Sequence, residues 1–290
     1  MHTLKRTRLA IFAGMLPAFI IYACIAILPI FISFYYSFFE WDGITDMFFV
    51  GLGNYAEIFS DDIFWLGVRN NVIIMLTGLL GQIPLGLLMA LLLNRQLAGS
   101  AFFRTVGFLP VVISSVMVAL IWNIIYKTEN GMLNMLLGLI GLENLQQNWL
   151  GNPDLSIYSV SIAYIWQNFG LYMVIFLSAL QGIPKEIHEA AEIDGASRWQ
   201  KLFFVTIPML KAAIMVSVIY SISNSFRVFD LVQILTGGGP ARTSEVMTIY
   251  MYNSAFLERE YGYGSAASIL IVLFSFVVVT IVNRLGRDKD

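Results

Sequence analysis

Six stretches of the chain are almost uninterruptedly apolar, and polar residues gather between them. The runs fall at about 9–36, 68–93, 105–126, 157–180, 212–232 and 265–282. Each is close to the roughly 20 residues a helix needs to cross about 30 Å of hydrocarbon. None alternates apolar and polar residues with period two, which excludes a lipid-exposed barrel. The pattern therefore predicts an all-α polytopic membrane protein with six transmembrane helices, forming one domain over residues 1–290. Pro17, Pro29, Pro84 and Pro110 lie in or near the runs and are expected to kink the helices that hold them.

Composition supports lipid as the solvent. Of 290 residues, 58% are hydrophobic and 12% charged, more apolar surface than a soluble fold of this size can cover. Net charge is −2, which gives no reason to expect nucleic acid. The single cysteine, Cys24, can form neither an internal disulfide nor a metal cluster. The basic start followed by an apolar run resembles a signal peptide, but the run is far too long for one and is expected to remain as an anchor. Twelve of the 17 Lys and Arg fall on one side of the predicted spans: Lys5, Arg6, Arg8, Arg95, Arg104, Lys185, Arg198, Lys201, Lys211, Arg284, Arg287 and Lys289. Arg69, Lys127, Arg227, Arg242 and Arg259 fall on the other. The bias places both termini in the cytoplasm. Glu40, Asp42, Asp46, Glu57, Asp61 and Asp62 crowd the first outer loop. Residues 132–142 form an amphipathic stretch suited to the membrane surface, and a second amphipathic stretch covers 244–256 after the Gly237-Gly238-Gly239-Pro240 turn.

The longest inner loop, 181–209, carries its own pattern. Pro184 suits a first helical turn. Glu186, Glu189 and Glu192 follow at threefold spacing, favourable near a positive helix start. Ala190, Ala191, Gly195 and Ala196 make a small-residue surface, and Gly195 is a natural helix stop. A second short helix is expected over 197–204, ended by Pro208 before the fifth run. Such a helix–turn–helix could dock a soluble partner, or it could be a connector that packs on its own bundle.

Glu189-Ala190-Ala191, Gly195 and Val205-Thr206-Ile207-Pro208 have the spacing of the Glu-Ala-Ala loop of binding-protein-dependent ABC transporter permeases, with Val205 and Ile207 as conservative departures. Phe229-Asp230, the Leu235–Pro240 run, Tyr250, Ala255-Phe256 and Tyr261-Gly262 resemble the carbohydrate branch. So do Gly53-Asn54-Tyr55, Phe103-Arg104 and Leu109-Pro110. The resemblance, closest to maltose and glycerol-3-phosphate permeases, implies a type I ABC importer permease fold in a bacterial plasma membrane. It implies a non-catalytic subunit that binds no cofactor, with ATP and Mg on a partner ATPase dimer. It also implies a second homologous permease, an extracytoplasmic solute-binding protein, and ATPase coupling through Glu189, Ala190, Ala191, Asp194, Gly195 and Pro208.

Polar residues inside spans are expensive and usually face a cavity or a neighbouring helix. Ser217, Ser221, Asn224 and Ser225 share a face of the fifth run. Ser161, Tyr164, Asn168 and Tyr172 share one of the fourth, with Gln167 beside them. Ser115, Trp122 and Asn123 are candidates in the third. Their hydroxyls, amides and rings suit a sugar. Arg227 and Asp230, one turn apart near the outer end, read as a snorkelling ion pair, with a gate as the alternative. The Gly237–Gly239 run lacks the Gly-Lys-Ser/Thr ending of a phosphate loop. A self-sufficient secondary transporter or channel is the competing class. It would need intramembrane acids or matched broken helices, and the spans hold almost no acid.

Overall fold

The computed structural model describes residues 14–94 and 99–286. His2, Lys5, Arg6, Arg8, Arg95, Arg287, Lys289 and the start of the 9–36 run lie outside the described residues. In chain order the elements are α1 (Gly14–Tyr36), strands β1 (Phe39–Glu40) and β2 (Phe48–Phe49), α2 (Gly53–Ser60), α3 (Asp62–Leu93), α4 (Ser100–Val112), α5 (Ser115–Tyr126), α6 (Met132–Leu139) and α7 (Ser156–Gln181). They continue with α8 (Lys185–Ile193), α9 (Arg198–Met209), α10 (Lys211–Ser225), α11 (Asp230–Leu235), α12 (Met247–Tyr252) and α13 (Tyr261–Gly286). Among the described residues four helices, α1, α3, α7 and α13, are long and apolar enough to cross a bilayer. Two bent pairs, α4 with α5 at 101° and α9 with α10 at 65°, bring the number to six if each pair is one span.

The 105–126 run is thus not one straight helix. Ser114 adopts extended backbone and its hydroxyl accepts from Met117 N at 3.4 Å, so a new helix starts there in a new direction. Nor does the fifth run continue to 232. α10 ends at Ser225, and residues 226–229 separate it from α11. The second short helix does not stop near residue 204, and Pro208 does not break it. Helical backbone runs from Arg198 to Met209, and the bend falls at Leu210. The turn over Lys201–Thr206 is widened to a π-helix, which accommodates the amide proton that Pro208 lacks.

The chain divides into two compact units. One comprises 14–61 and 251–273. No residue in the apolar window of α1 is buried, and most of its surface is left to lipid or to another subunit. A π-turn at Ala23–Ile27 precedes Pro29. β1 and β2 form a two-stranded antiparallel ribbon pairing Phe39 with Phe49. The amide of buried Asn54 fastens this corner, donating to the carbonyls of Ser37 and Phe39 at 2.9 Å each. Gly262 lies against the Phe39 carbonyl so closely that a side chain there would overlap it.

The other unit comprises 62–94, 99–250 and 274–286. α3 and α7 pack side by side along its centre, with α4 on α7 and α10 on α3. Close approach depends on glycine, as expected where van der Waals packing replaces the hydrophobic effect. A Cβ at Gly86 would sit 2.7 Å from Tyr172 Cβ and 2.9 Å from Met173 N. A Cβ at Gly170 would run into the Gly107 carbonyl. Ile74, Val118, Val160, Ala163, Val232 and Ile249 form the interior where α5, α7 and α11 meet. Within the 244–256 stretch Met247, Thr248, Ile249 and Tyr250 are all buried, while Phe256 is exposed. α6 does present an apolar face, with Met132, Met135, Leu136 and Leu139 exposed, and Asn134 ties it to the preceding turn through Thr128 and to the following loop through Gln147 and Trp149.

Two buried asparagines of α3 hold distant chain. Asn70 Nδ2 donates to the carbonyls of Thr243 at 2.8 Å and Glu245 at 2.7 Å. Asn71 accepts from Met247 N at 2.8 Å and donates to Ser225 O at 3.0 Å. Asn71→Leu is expected to lower stability by roughly 2–5 kcal/mol, because each buried backbone group left unpaired costs about 1–3 kcal/mol. Thermal unfolding in detergent, compared with the exposed-site control Gly14→Ala, checks this.

Candidate functional site

A cavity of about 230 Å³ lies where two helix breaks meet the middle of α7. The α4–α5 break contributes Val111 and Ser115. α7 contributes Tyr164, Gln167 and Asn168, and the end of α10 contributes Tyr220 and Asn224. Arg227 and Asp230 line it from the α10–α11 break. A helix break supplies what a polar ligand in a membrane needs, since backbone and side chains at the break escape the i→i−4 ladder while lining a cavity. The lining is cross-braced. Asn224 Nδ2 donates to the Tyr164 hydroxyl at 3.1 Å, and Gln167 Nε2 donates to Ser115 Oγ at 3.1 Å. Asn168 Nδ2 donates back to the Tyr164 carbonyl at 2.9 Å.

Of the residues picked out in the sequence, Ser115, Tyr164, Asn168 and Asn224 converge on this cavity. Ser217, Ser221, Ser225, Tyr172 and Trp122 do not line it. Ser221 stands behind it, donating to Gln82 Oε1 at 3.3 Å, while Gln82 Nε2 donates to the Tyr164 carbonyl at 3.2 Å. Ser225 is buried and donates to Ile222 O at 2.7 Å. Ser217 and Tyr172 are fully buried, and Tyr172 lies 6.4 Å from the Tyr220 ring. Trp122 packs between Tyr126 and Trp166 at 5.0 and 5.9 Å. Arg227 and Asp230 do not form the ion pair expected of them. Both are exposed at the cavity, and neither has an ion-pair partner among the described residues. The unit turn between them is not helical, so the one-turn spacing that would have joined them is absent.

The second feature is an elbow. α8 ends in a full Schellman arrangement: Gly195 N donates to Glu192 O at 3.0 Å and Ala196 N to Ala191 O at 2.9 Å. Gly195 sits at φ +77°, a conformation glycine adopts without strain. Two residues on, Ser197 and Gln200 form a reciprocal capping box that starts α9. Lys201 then reaches back to bind Glu192, and that hydrogen bond and charge hold the Glu192 carboxyl below its usual value. The elbow is therefore fixed at its corner, not hinged. Glu189, Ala190, Asp194 and Gly195 are exposed and Ala191 half-buried. Ile193 is 86% exposed, and nothing lies within 4 Å of where a Gly195 side chain would start.

The unit formed by 14–61 and 251–273 carries an acidic cup of about 550 Å³, lined by Glu40, Asp42, Asp46, Glu57, Arg259 and Glu260 among others. Backbone amides of Thr45 and Ile44 donate to Asp42 at 2.7 and 2.9 Å and hold its carboxyl below the ordinary value. Burial, and then Glu258, Glu57 and Glu40, push Glu260 up.

Several apolar crossings, a polar cavity at helix breaks and an exposed helix–glycine–helix elbow define a membrane permease. Residues 82–289 match the family described as binding-protein-dependent transport system inner membrane component, and the chain belongs to that family. It is a permease component of an ABC importer, a multi-pass protein of the inner membrane, and ATP hydrolysis in such systems belongs to a separate subunit. It is 38% identical over 254 residues to the probable ABC transporter permease protein YurN of Bacillus subtilis (strain 168), 87% of each chain. It is 34% identical to the trehalose/maltose transport system permease protein MalF of Thermococcus litoralis, covering 83% of this chain and 81% of the relative. The fold matches a chain of a bacterial ABC transporter involved in the import of the acidic polysaccharide alginate, with TM-score 0.84, 24% identity and coverage of 99% and 97%.

Proposed function

We propose that this permease carries a sugar or a related polyol or oligosaccharide into the cell, as one transmembrane permease domain over residues 1–290. The observation that supports this best is the cavity at the α4–α5 and α10–α11 breaks. It offers hydroxyl, amide and tyrosine groups from three directions, with Arg227 and Asp230 free to bind hydroxyls. Each sugar hydroxyl needs both a donor and an acceptor, and the lining supplies both. In this reading both termini are cytoplasmic, and the acidic cup faces an extracytoplasmic solute-binding protein. The elbow at Glu189, Ala190, Ala191, Asp194 and Gly195, continued through α9 to Pro208, docks on an ATPase dimer that holds ATP and Mg. A second, homologous permease completes the pathway. Closure of the ATPase dimer moves the elbow, and the rigid corner passes that motion into α7 and α10, so that the cavity opens alternately to each side.

Uptake of a panel of radiolabelled mono-, di- and oligosaccharides by membrane vesicles with and without the chain tests the substrate class. Absence of uptake of any of them, with a different solute carried instead, overturns it. Asn224→Leu is expected to lower uptake about tenfold or more, from loss of a polar contact and of its brace on Tyr164. Ser217→Ala, outside the cavity, is expected to stay near wild type.

A further inference from the structure

A second cavity, of about 810 Å³, lies behind the elbow and is separate from the polar one. Its walls come from the ends of two spans, Leu91 of α3 with Asn94 just beyond it and Leu180 of α7, and from α8 and α9. The lining combines two kinds of group: Arg198, Lys201 and His188 are basic, and Leu91, Leu180 and Leu202 are apolar. Among the described residues, no carboxylate lines the cavity. Lys201 uses one of its three donors on Glu192, and the Arg198 side chain has no hydrogen-bond or ion-pair partner among the described residues.

Position adds a constraint. α3 ends at Leu93 and α7 at Gln181, so the cavity lies at the level where the hydrocarbon gives way to headgroups. α9 bears the aromatic residues of such a boundary. Trp199 is 71% exposed and stacked on Phe203 with planes 18° apart, and Phe204 is 78% exposed. Tryptophan beside basic residues is the usual composition of a membrane–water interface. A lining with both cationic and apolar side chains at that level is complementary to an anionic amphiphile and not to a small soluble anion, which would leave the leucines wet.

We infer that this cavity holds an anionic glycerophospholipid, its phosphate on Arg198 and Lys201 and its glycerol and first acyl carbons along Leu91, Leu180 and Leu202. A lipid seated there braces α9 from behind, on the side opposite the exposed corner of the elbow. The inference rests on the bilayer level of the span ends, not on which sugar is carried or which subunits dock.

Trp199 lies on the lining and reports occupancy directly. The full-length chain, purified with the subunits it retains, is placed in nanodiscs containing acyl-brominated phosphatidylglycerol or acyl-brominated phosphatidylcholine. The quenching that Trp199→Phe removes is the signal. Brominated phosphatidylglycerol is expected to quench it with at least about fivefold stronger apparent affinity than brominated phosphatidylcholine. Arg198→Gln should abolish the preference and Arg198→Lys keep most of it, which separates lost charge from lost folding. Equal quenching by the two lipids, or a preference that survives Arg198→Gln, overturns the assignment. So does displacement by millimolar inorganic phosphate, which would make the site a soluble-anion site. A Trp199 shielded from both lipids in the assembled complex would show that a protein subunit fills the cavity. Sugar uptake is read on the same nanodisc preparations after fusion to vesicles, so failure of the transport reading is seen separately.

Discussion

Gly170→Val is expected to prevent α4 from seating on α7, with the protein failing to accumulate or unfolding well below the wild-type temperature. The added carbon would collide with the Gly107 carbonyl and approach Phe108 Cα to 3.0 Å. Both obstacles are backbone, so neither can rotate aside. The helices must separate, and the contacts either side of residue 170 are lost with them. Overpacking a tight site costs about 1–3 kcal/mol, and a branched side chain at a backbone–backbone crossing belongs at the upper end. Alanine at 170 should do part of the damage. Gly14→Val, at a position with nothing within 4 Å, should do none. Midpoints from thermal unfolding in one detergent compare the three. Equal midpoints for Gly170→Val and wild type would show that the α4–α7 crossing is looser than described.

Gly195→Leu is expected to abolish uptake while the protein inserts and accumulates normally. Two effects act at this position. A left-handed backbone costs a residue with a Cβ about 1–2 kcal/mol, which loosens the corner between α8 and α9. The new side chain also projects into the space that a docking partner must occupy, since the chain itself places nothing within 4 Å. Asparagine separates the two, because it tolerates the left-handed region and is shorter. Gly195→Asn should retain a measurable fraction of uptake and Gly195→Leu about one hundredth or less. ATPase activity of the assembled complex is the second readout. Loss of its stimulation by substrate, with basal hydrolysis present, marks broken coupling; wild-type uptake by Gly195→Leu would remove the elbow from the docking role.

The elbow is the part of the site that the sequence displays best. A Schellman stop, a capping box and a run of small residues are local, so spacing alone locates Gly195 and Ser197. The apolar runs were legible for the same reason, since each lies within one stretch of chain. Direction was not. Hydropathy is the same whether a helix continues or turns by 101° at Ile113, and only the Ser114-Ser115 pair after Pro110 marks a new start. At the other break, Val228, Leu231 and Val232 keep the composition apolar past Ser225, which hides the end of α10. The cavity is built at these two breaks, so its lining was only half legible. Ser115, Tyr164, Asn168 and Asn224 were visible as polar residues in apolar runs. Ser217, Ser225 and Tyr172 looked equivalent in sequence but turn into the protein. Gln82, Asn70 and Asn71 were passed over because their partners lie 82 to 176 residues away, and periodicity within one helix carries no such information.

The two asparagines of α3 also set an order for biosynthesis. Their partners are Ser225, Thr243, Glu245 and Met247, all in the last third of the chain. While the ribosome is still making α7, the amides at 70 and 71 have no protein to bond, and a bare amide is poorly tolerated in hydrocarbon. The full set of partners for Asn70 and Asn71 exists only after residue 247 has been made. A chain cut short between Leu235 and Met247 keeps most of its apolar helices and the Ser225 bond, and lacks the Met247 bond that completes this clasp.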